Sequence, residues 1–215
     1  MALRQQIDCI QPCAKFGFSA AVRQESIHID LIIEQEHIEN ELMEAAFQRV
    51  RDPVHDIVEF RDNELERCLW KVIQCRPFQR LRRVKQLGFS ELVYPGASHS
   101  RFAHSIGVFH TARQLMDVVR IFDQREESKE WRALAAALVH DLGHGPFSHA
   151  FEAVGRRLNL KLADHEEMSD ALIRDSEVTA ILNQLGSGFA NDVADIISAE
   201  CPKTVQHAVV SSQFD

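Results

Sequence analysis

The chain has 215 residues, with 24 Lys and Arg against 32 Asp and Glu, a formal net charge of −8, 45% hydrophobic residues, 9 Gly and 6 Pro. That size and balance suit one ordinary globular domain, or one domain with an appendage, and exclude collagen-like, low-complexity and largely disordered classes. The acidic balance disfavours a non-specific nucleic-acid coat, and no stretch approaches the ~18 consecutive apolar residues of a membrane span.

The opening segment, MALRQQIDCIQPCAKFGF, has no long apolar run, so no signal peptide is expected. Five Cys is an odd number, and only Cys9 and Cys13 lie close together. A reducing, cytoplasmic setting is the natural expectation, and no second cysteine pair is present to complete a zinc site. Ser26 to Ile33 alternates loosely and reads as a strand. Glu34 to Val50 is acidic, with Leu42, Met43, Phe47 and Val50 at helical spacing. Residues 1–49 therefore read as an N-terminal extension of unassigned role, ahead of a domain over 50–215.

Asp52-Pro53 signals a turn, and Val54 to Phe60 is a short β-prone run. Leu65, Cys68, Leu69, Val72 and Ile73 then mark one apolar helical face, which Pro77 interrupts. Phe78 to Leu87 reads as a second helix with Gly88 as its C-cap, and Phe89 to Ser100 as a loop around Pro95-Gly96. Arg101 to Ile121 is a long helix with His104, Val108, Ala112, Leu115 and Val119 on one face. Glu130 to Val139 is apolar on most sides and is expected to be buried. Pro146 stands where a further helix can start. Asp164-x-x-Glu167 resembles a capping box that places His165 in the first turn of the next helix. Two more helical stretches follow near 177–185 and 189–199, and 202–215 is the last segment. The expected fold is mainly α with a short N-terminal β element.

Seven of the eleven histidines lie between positions 99 and 165. Histidine titrates near neutrality and is the commonest metal ligand, so the cluster points to chemistry. His140-Asp141 is its centre. Adjacent residues within a helix point ~100° apart, but at a helix end both can reach one ion. Imidazole with carboxylate suits Mn²⁺, Fe²⁺, Zn²⁺, Co²⁺ or Mg²⁺ without selecting one. His104, on the inward face of the preceding helix, is positioned to be a third ligand. Gly143 and Gly145 let backbone approach a bound group, which His144 and His149 would face. Arg76, Arg80, Arg82, Arg83 and Lys85 form a basic stretch that is either a solvated helix face or a surface for nucleotide or single-stranded nucleic acid. His28, His37, His55, His99, His110 and His207 carry no such pattern and default to structural or exposed positions.

Three segments, PFQRLRRVKQLG (77–88), YPGASHSRFAHSIGV (94–108) and HDLGHGPFSHAFE (140–152), resemble the HD-domain metallophosphohydrolases. More narrowly, they resemble the deoxynucleoside triphosphate triphosphohydrolase branch, which includes the dGTPases and the SAM-and-HD-domain enzymes. RDPVH (51–55) is similar to the strand that opens the family domain, and SSQFD (211–215) to the start of a later helix. The resemblance covers residues 50–215 and implies an HD-type helical fold. It implies a divalent metal on His104, His140 and Asp141, and catalytic roles for His144, His149, His165 and Glu166. Arg101 is implied near the phosphates, with Gln86 and Leu87 facing the deoxyribose. The implied substrate is a dNTP and the products are a deoxynucleoside and inorganic triphosphate. A homo-oligomer is also implied, with no membrane partner.

The sequence departs from the family pattern at three places. Asp215 matches the first Asp of an Asp-x-Asp element whose second Asp is the family's fourth ligand, so the chain reads as C-terminally incomplete. A chain of weak or no activity that binds nucleotide or a partner is therefore the first alternative, and a phosphodiesterase or nucleotidase on the same scaffold the second. Gln74 stands where activated members carry a guanine-reading Asp, although Gln79 and Arg82 match. Asp56 occupies a turn position that is usually Gly, which predicts backbone strain there.

Overall fold

The computed structural model describes residues 48–122 and 126–199, together with Thr204 and Ala208. The strand expected at 26–33, Cys9, Cys13 and nearly all of 202–215 lie outside the described residues, as do residues 34–47 of the acidic helical stretch.

Residues Gln48–Asp52 form β1, which pairs antiparallel with β2, Asp56–Phe60, in the register Gln48↔Phe60 to Asp52↔Asp56. The helical spacing read through Val50 therefore fails at its end: residues 48–50 are extended because β2 offers them a ladder partner. The Asp52 carboxylate accepts hydrogen bonds from the amides of Val54 and His55 at 2.9 Å each and lies 2.8 Å from the His55 ring. These bonds close the turn. Asp56 has φ +59°, so the expected strain is real; Asp is one of the few residues that tolerate the left-handed region. Phe60 stacks on Phe109 at 5.2 Å and leans on Trp70, so the hairpin is seated on the helical body.

α1 spans Glu64–Gln74 and buries Leu65, Cys68, Leu69, Val72 and Ile73, the face the periodicity predicted. Asn63 caps it by accepting from the Glu66 amide. Glu66 is buried and is met by Arg113 at 2.9 Å, while Arg113 also donates to the Glu59 carbonyl at 2.7 Å. That buried charge pair ties hairpin and helices together.

α2, Arg76–Gln79, continues as a 3-10 turn over Arg80–Arg83 and stops there. The helix expected to run to Leu87 is thus shorter. Val84 is extended, its carbonyl accepts from Arg101 N at 2.8 Å, and the Gln86 amide donates to His99 at 3.1 Å. The segment before the long helix recruits these groups, and Gly88, at φ +57°, lies in a following turn and is not a helix cap.

α3 is Arg101–Phe122, and α4 is Glu127–Val139. Every residue from Ala133 to Val139 is buried. The small alanines let neighbouring helices approach closely, so α4 is the central element, packed between α3 and the last helix. α5 is His149–Arg157, three residues later than the start expected at Pro146. Phe147 and Ser148 adopt φ +66° and +52°, which no helix accepts. α6 is His165–Arg174; Asp164 caps it through the amide of Glu166, one residue earlier than the capping-box pattern implied. α7, Glu177–Leu182, is opened by a capping box of Ser176 and Thr179 and runs into a 3-10 turn, Asn183–Leu185. α8 is Phe189–Ile197 and packs on α4 and α6. The architecture is mainly α with a two-stranded β element at its front, as expected. No helix among the described residues is long and apolar enough to cross a membrane.

Candidate metal and histidine centre

α4 ends by delivering His140 and Asp141 to a turn that faces the first coil of α3. There the Nε2 atoms of His104 and His140 lie 3.3 Å apart. Asp141 places Oδ2 3.4 Å from His104 Nε2 and Oδ1 3.5 Å from His140 Nε2. These three ligand atoms fall within 4.8 Å of one another, as a shared ion requires. The His140 ring is held by Nδ1, which lies 2.9 Å from the Ala137 carbonyl. That bond assigns the proton to Nδ1 and leaves Nε2 as a lone pair aimed at the cluster. Two imidazole nitrogens and a carboxylate converging this way fit a divalent transition metal or Mg²⁺.

Asp141 is buried and is paired with the Arg101 guanidinium, also buried. Burial acts against its charge, but the hydrogen bond from His144 and the charges of His140 and Arg101 outweigh it and hold the carboxyl well below the ordinary range. Arg101 also contacts Ser148 Oγ from Nε at 3.3 Å and the Gln86 carbonyl from Nη2 at 3.4 Å. The sequence expected Arg101 at the phosphates; here its guanidinium is committed to the protein, chiefly to Asp141.

Asp141 also belongs to a second cluster. His144 Nε2 lies 3.3 Å from Asp141 Oδ1, and the His144 ring is stacked on that of His165 with centroids 4.0 Å apart. Burial pushes His144 below the usual imidazole range, although the Asp141 carboxylate pulls the other way. His149 meets both rings edge-on, at 5.2 and 5.4 Å. The carboxylate that organises the three is Glu152. One oxygen lies 2.8 Å from His165 Nδ1 and the other 3.3 Å from His149 Nδ1. His144 Nδ1 is 3.7 Å from Glu152 Oε1, beyond hydrogen-bond reach. The sets Asp141–His144–His165 and His149–Glu152–His165 are each compact enough to hold a cation.

The sequence reading gave Glu152 no role. Its signal was the i, i+3 spacing from His149, which puts both on one helix face. The Glu166 side chain, expected to be catalytic, is exposed in the first turn of α6 and belongs to none of the three clusters. Three further residues were missed. Arg80 donates to the carbonyls of His144, at 2.6 Å, and Leu142, fixing the turn from behind. Ser169 accepts from the Gly143 amide at 2.8 Å and donates to the His140 carbonyl at 3.0 Å. Ser148 donates to the Lys85 carbonyl at 3.0 Å. Gly143 is required by space: a Cβ there would run into the His165 carbonyl and the Ser169 amide.

Gln86 is half-buried beside Arg101 and Ser148, its Oε1 enclosed without a hydrogen-bond partner, and Leu87 is exposed next to it. The basic stretch is not one solvated face. Arg80 turns inward, Arg82 lies 3.6 Å over the Phe102 ring and bonds Gln79, and Lys85 pairs with Glu91 at 2.8 Å. Arg76 and Arg83 are exposed. Among the remaining histidines, His99 is exposed, and His55 and His110 meet edge-on at the hairpin turn. His28, His37 and His207 lie outside the described residues.

The HD domain family matches residues 101–207. The uncharacterized protein YwfO of Bacillus subtilis is 42% identical over 167 residues, 77% of this chain and 36% of that protein. Mouse deoxynucleoside triphosphate triphosphohydrolase SAMHD1 is 38% identical over 154 residues, 67% of this chain and 23% of that protein. Among solved structures, a phosphohydrolase from Bacteroides thetaiotaomicron superposes with a TM-score of 0.61 at 31% identity, covering 77% of this chain and 38% of that one. The chain thus spans about a third or less of the curated relatives it matches.

Proposed function

The chain carries an HD domain, and on that premise we propose that it is a metal-dependent phosphohydrolase whose substrate is a dNTP, cleaved to a deoxynucleoside and inorganic triphosphate. The observation that carries this reading is the sharing of Asp141 between the His104–His140 pair and the His144–His165 stack. A candidate metal-ligating set and a stack of imidazoles meet at one carboxylate. Relatives named as dNTP triphosphohydrolases support the substrate class.

His104, His140 and Asp141 would hold the metal, with Arg101 keeping Asp141 charged and oriented. A bound divalent ion supplies Lewis acidity at the α-phosphate and lowers the pKa of attacking water. The protein's own groups do the rest. His165, held by Glu152 through Nδ1, presents its other nitrogen for proton transfer to the leaving 5′-oxygen. The exposed His149 binds phosphate oxygens, while His144, buried with Nε2 on Asp141, holds that carboxylate and stacks on His165. Gln86, with its enclosed amide oxygen, and Leu87 line the sugar side. Glu152 takes the place beside His165 that the sequence gave to Glu166.

The test is a product assay on the purified chain with each dNTP and Mn²⁺ or Mg²⁺, run beside His140→Ala. Deoxynucleoside and triphosphate that disappear in the variant are expected. Folded, metal-loaded protein that turns over no dNTP would overturn the substrate class.

A further inference from the structure

Phe147 and Phe89 stack, with ring centroids 4.5 Å apart and an interplanar angle of 14°. Both rings remain about half exposed, Phe89 at 57% and Phe147 at 49%. An outward phenyl inside the turn that joins two active-site histidines calls for a reason. The backbone sharpens the question. Phe147 and Ser148 are successive non-glycine residues with φ +66° and +52°, conformations that persist only where surrounding contacts impose them.

Besides bonds within the turn itself, those contacts come chiefly from residues 85–89 and from Arg101. Ser148 Oγ donates to the Lys85 carbonyl and lies 3.3 Å from that of Gln86. Arg101 Nε donates to the same hydroxyl. Gly88 approaches Phe147 so closely that a Cβ would sit 3.3 Å from the Phe147 carbonyl oxygen. The Phe89 ring completes the grip. So residues 145–148 are fastened to 85–89, the segment that carries Gln86 and Leu87. The residue that follows, His149, is 68% exposed at its side chain. Its ring is held only by Glu152 and by edge contacts with His144 and His165, so it reaches them only while the backbone at 147–148 points it there.

We propose that the Phe89–Phe147 stack is a clasp that couples the sugar-side segment, 85–89, to the histidine turn, and that both phenylalanines are positioning residues for His149. The clasp rests on the functional reading above for what each segment contacts. When the stack is removed, the left-handed pair at 147–148 loses one of its restraints and relaxes, and His149 leaves Glu152 and His165. Because neither ring is buried, its loss empties no part of the core.

The experiment compares Phe89→Ala, Phe147→Ala and Phe89→Tyr with the wild type, by amide NMR of the metal-free protein and by steady-state hydrolysis of dNTP. Both alanine variants are expected to shift the Ser148 and His149 amide signals while the β1–β2 hairpin signals stay in place. They are expected to lose about 10- to 100-fold in kcat with little change in KM. Phe89→Tyr, which keeps the stack, is expected to restore both. Unchanged Ser148 and His149 signals would overturn the clasp, as would a loss carried by KM alone or a tyrosine variant no better than alanine. A wild type that hydrolyses no dNTP sinks the functional reading, and the NMR comparison still decides the clasp.

Discussion

Arg101 and Asp141 form a buried ion pair at the seam between α3 and the end of α4, each side chain 6% exposed. Asp141 needs that partner because a lone buried carboxylate would neutralise itself. Arg101 supplies the positive charge, and its other nitrogens reach the Ser148 hydroxyl and the Gln86 carbonyl. One guanidinium thereby connects the candidate metal ligand, the strained turn and the sugar-side segment.

Removing it should therefore be costly to the fold as well as to activity. Arg101→Ala leaves Asp141 buried without its countercharge, a loss of about 3–5 kcal/mol in comparable cases. The expected result is a clear drop in Tm, and a larger drop than for Arg83→Ala, whose side chain is exposed. Thermal unfolding of the two variants side by side is the measurement. Equal Tm values would mean that the buried pair contributes nothing net.

Glu152 separates charge from packing at the histidine cluster. Glu152→Gln keeps the shape and can still accept from one imidazole, but removes the negative charge that sits between His149 and His165. The expected outcome is a fall in kcat of about 10- to 100-fold with metal content intact, since orienting partners of catalytic or ligating histidines commonly carry effects of that size. Glu166→Gln, exposed in the first turn of α6, is expected to change kcat by less than about threefold. Rate and metal analysis of both variants would reverse the assignment if Glu166 proved the more damaging.

How much of this was legible depended on whether the deciding contact was local. The face of α1 was readable because burial there follows helical period, and the burial of 133–139 because that stretch is apolar on most sides. The face read for α3 was not, since Phe102, Ile106, Phe109 and Met116 are buried while His104, Leu115 and Val119 stay half-buried. His140-Asp141 was readable because the motif is contiguous. The end of the α2 segment at Arg83 was not, because it is set by bonds from Gln86 to His99 and from Arg101 to Val84. The delayed start of α5 was missed for a similar reason: Pro146 favours a helix, but the grip of residues 85–89 on Ser148 overrides it. Glu152 escaped notice because its role appears only when α5 and α6 bring His149 and His165 to the same carboxylate. Glu166 was assigned through the resemblance, which pairs it with His165; here it points to solvent in the first turn of α6, because a helix turns neighbours ~100° apart.

The two described cysteines give a pH prediction with a definite sign. Burial pushes the thiols of Cys68 and Cys75 up to about 11. An unfolded thiol ionises near ~8.5. Between those values the unfolded chain has released protons that the folded chain keeps. The contribution to stability is thus complete below ~8.5 and is lost as pH rises toward 11. Tm is expected to fall across that window, and to fall less in Cys68→Ala/Cys75→Ala than in the wild type. Peptide-resolved alkylation at pH 8 should leave both thiols unmodified in the native state and label them in urea. Rapid native labelling of either one would contradict its burial.

Metal removal tests the centre without assuming any substrate. His140 Nε2, a lone-pair donor once Nδ1 carries its proton, faces His104 Nε2 at 3.3 Å, and an ion between them would draw on both rings. An ion between them binds the folded chain and not the unfolded one. At a free concentration of 100 Kd such an ion adds about 2.7 kcal/mol of stability. Chelation should therefore lower Tm, and returning Mn²⁺ should restore it. In His140→Ala both responses should vanish, since one imidazole and Asp141 are too few donors for tight binding. His149→Ala should retain them, because His149 ligates nothing in the His104–His140–Asp141 set. If chelator and Mn²⁺ left the wild-type Tm unmoved while elemental analysis found no bound metal, these three residues would be a hydrogen-bonded core cluster and the metal assignment would fall.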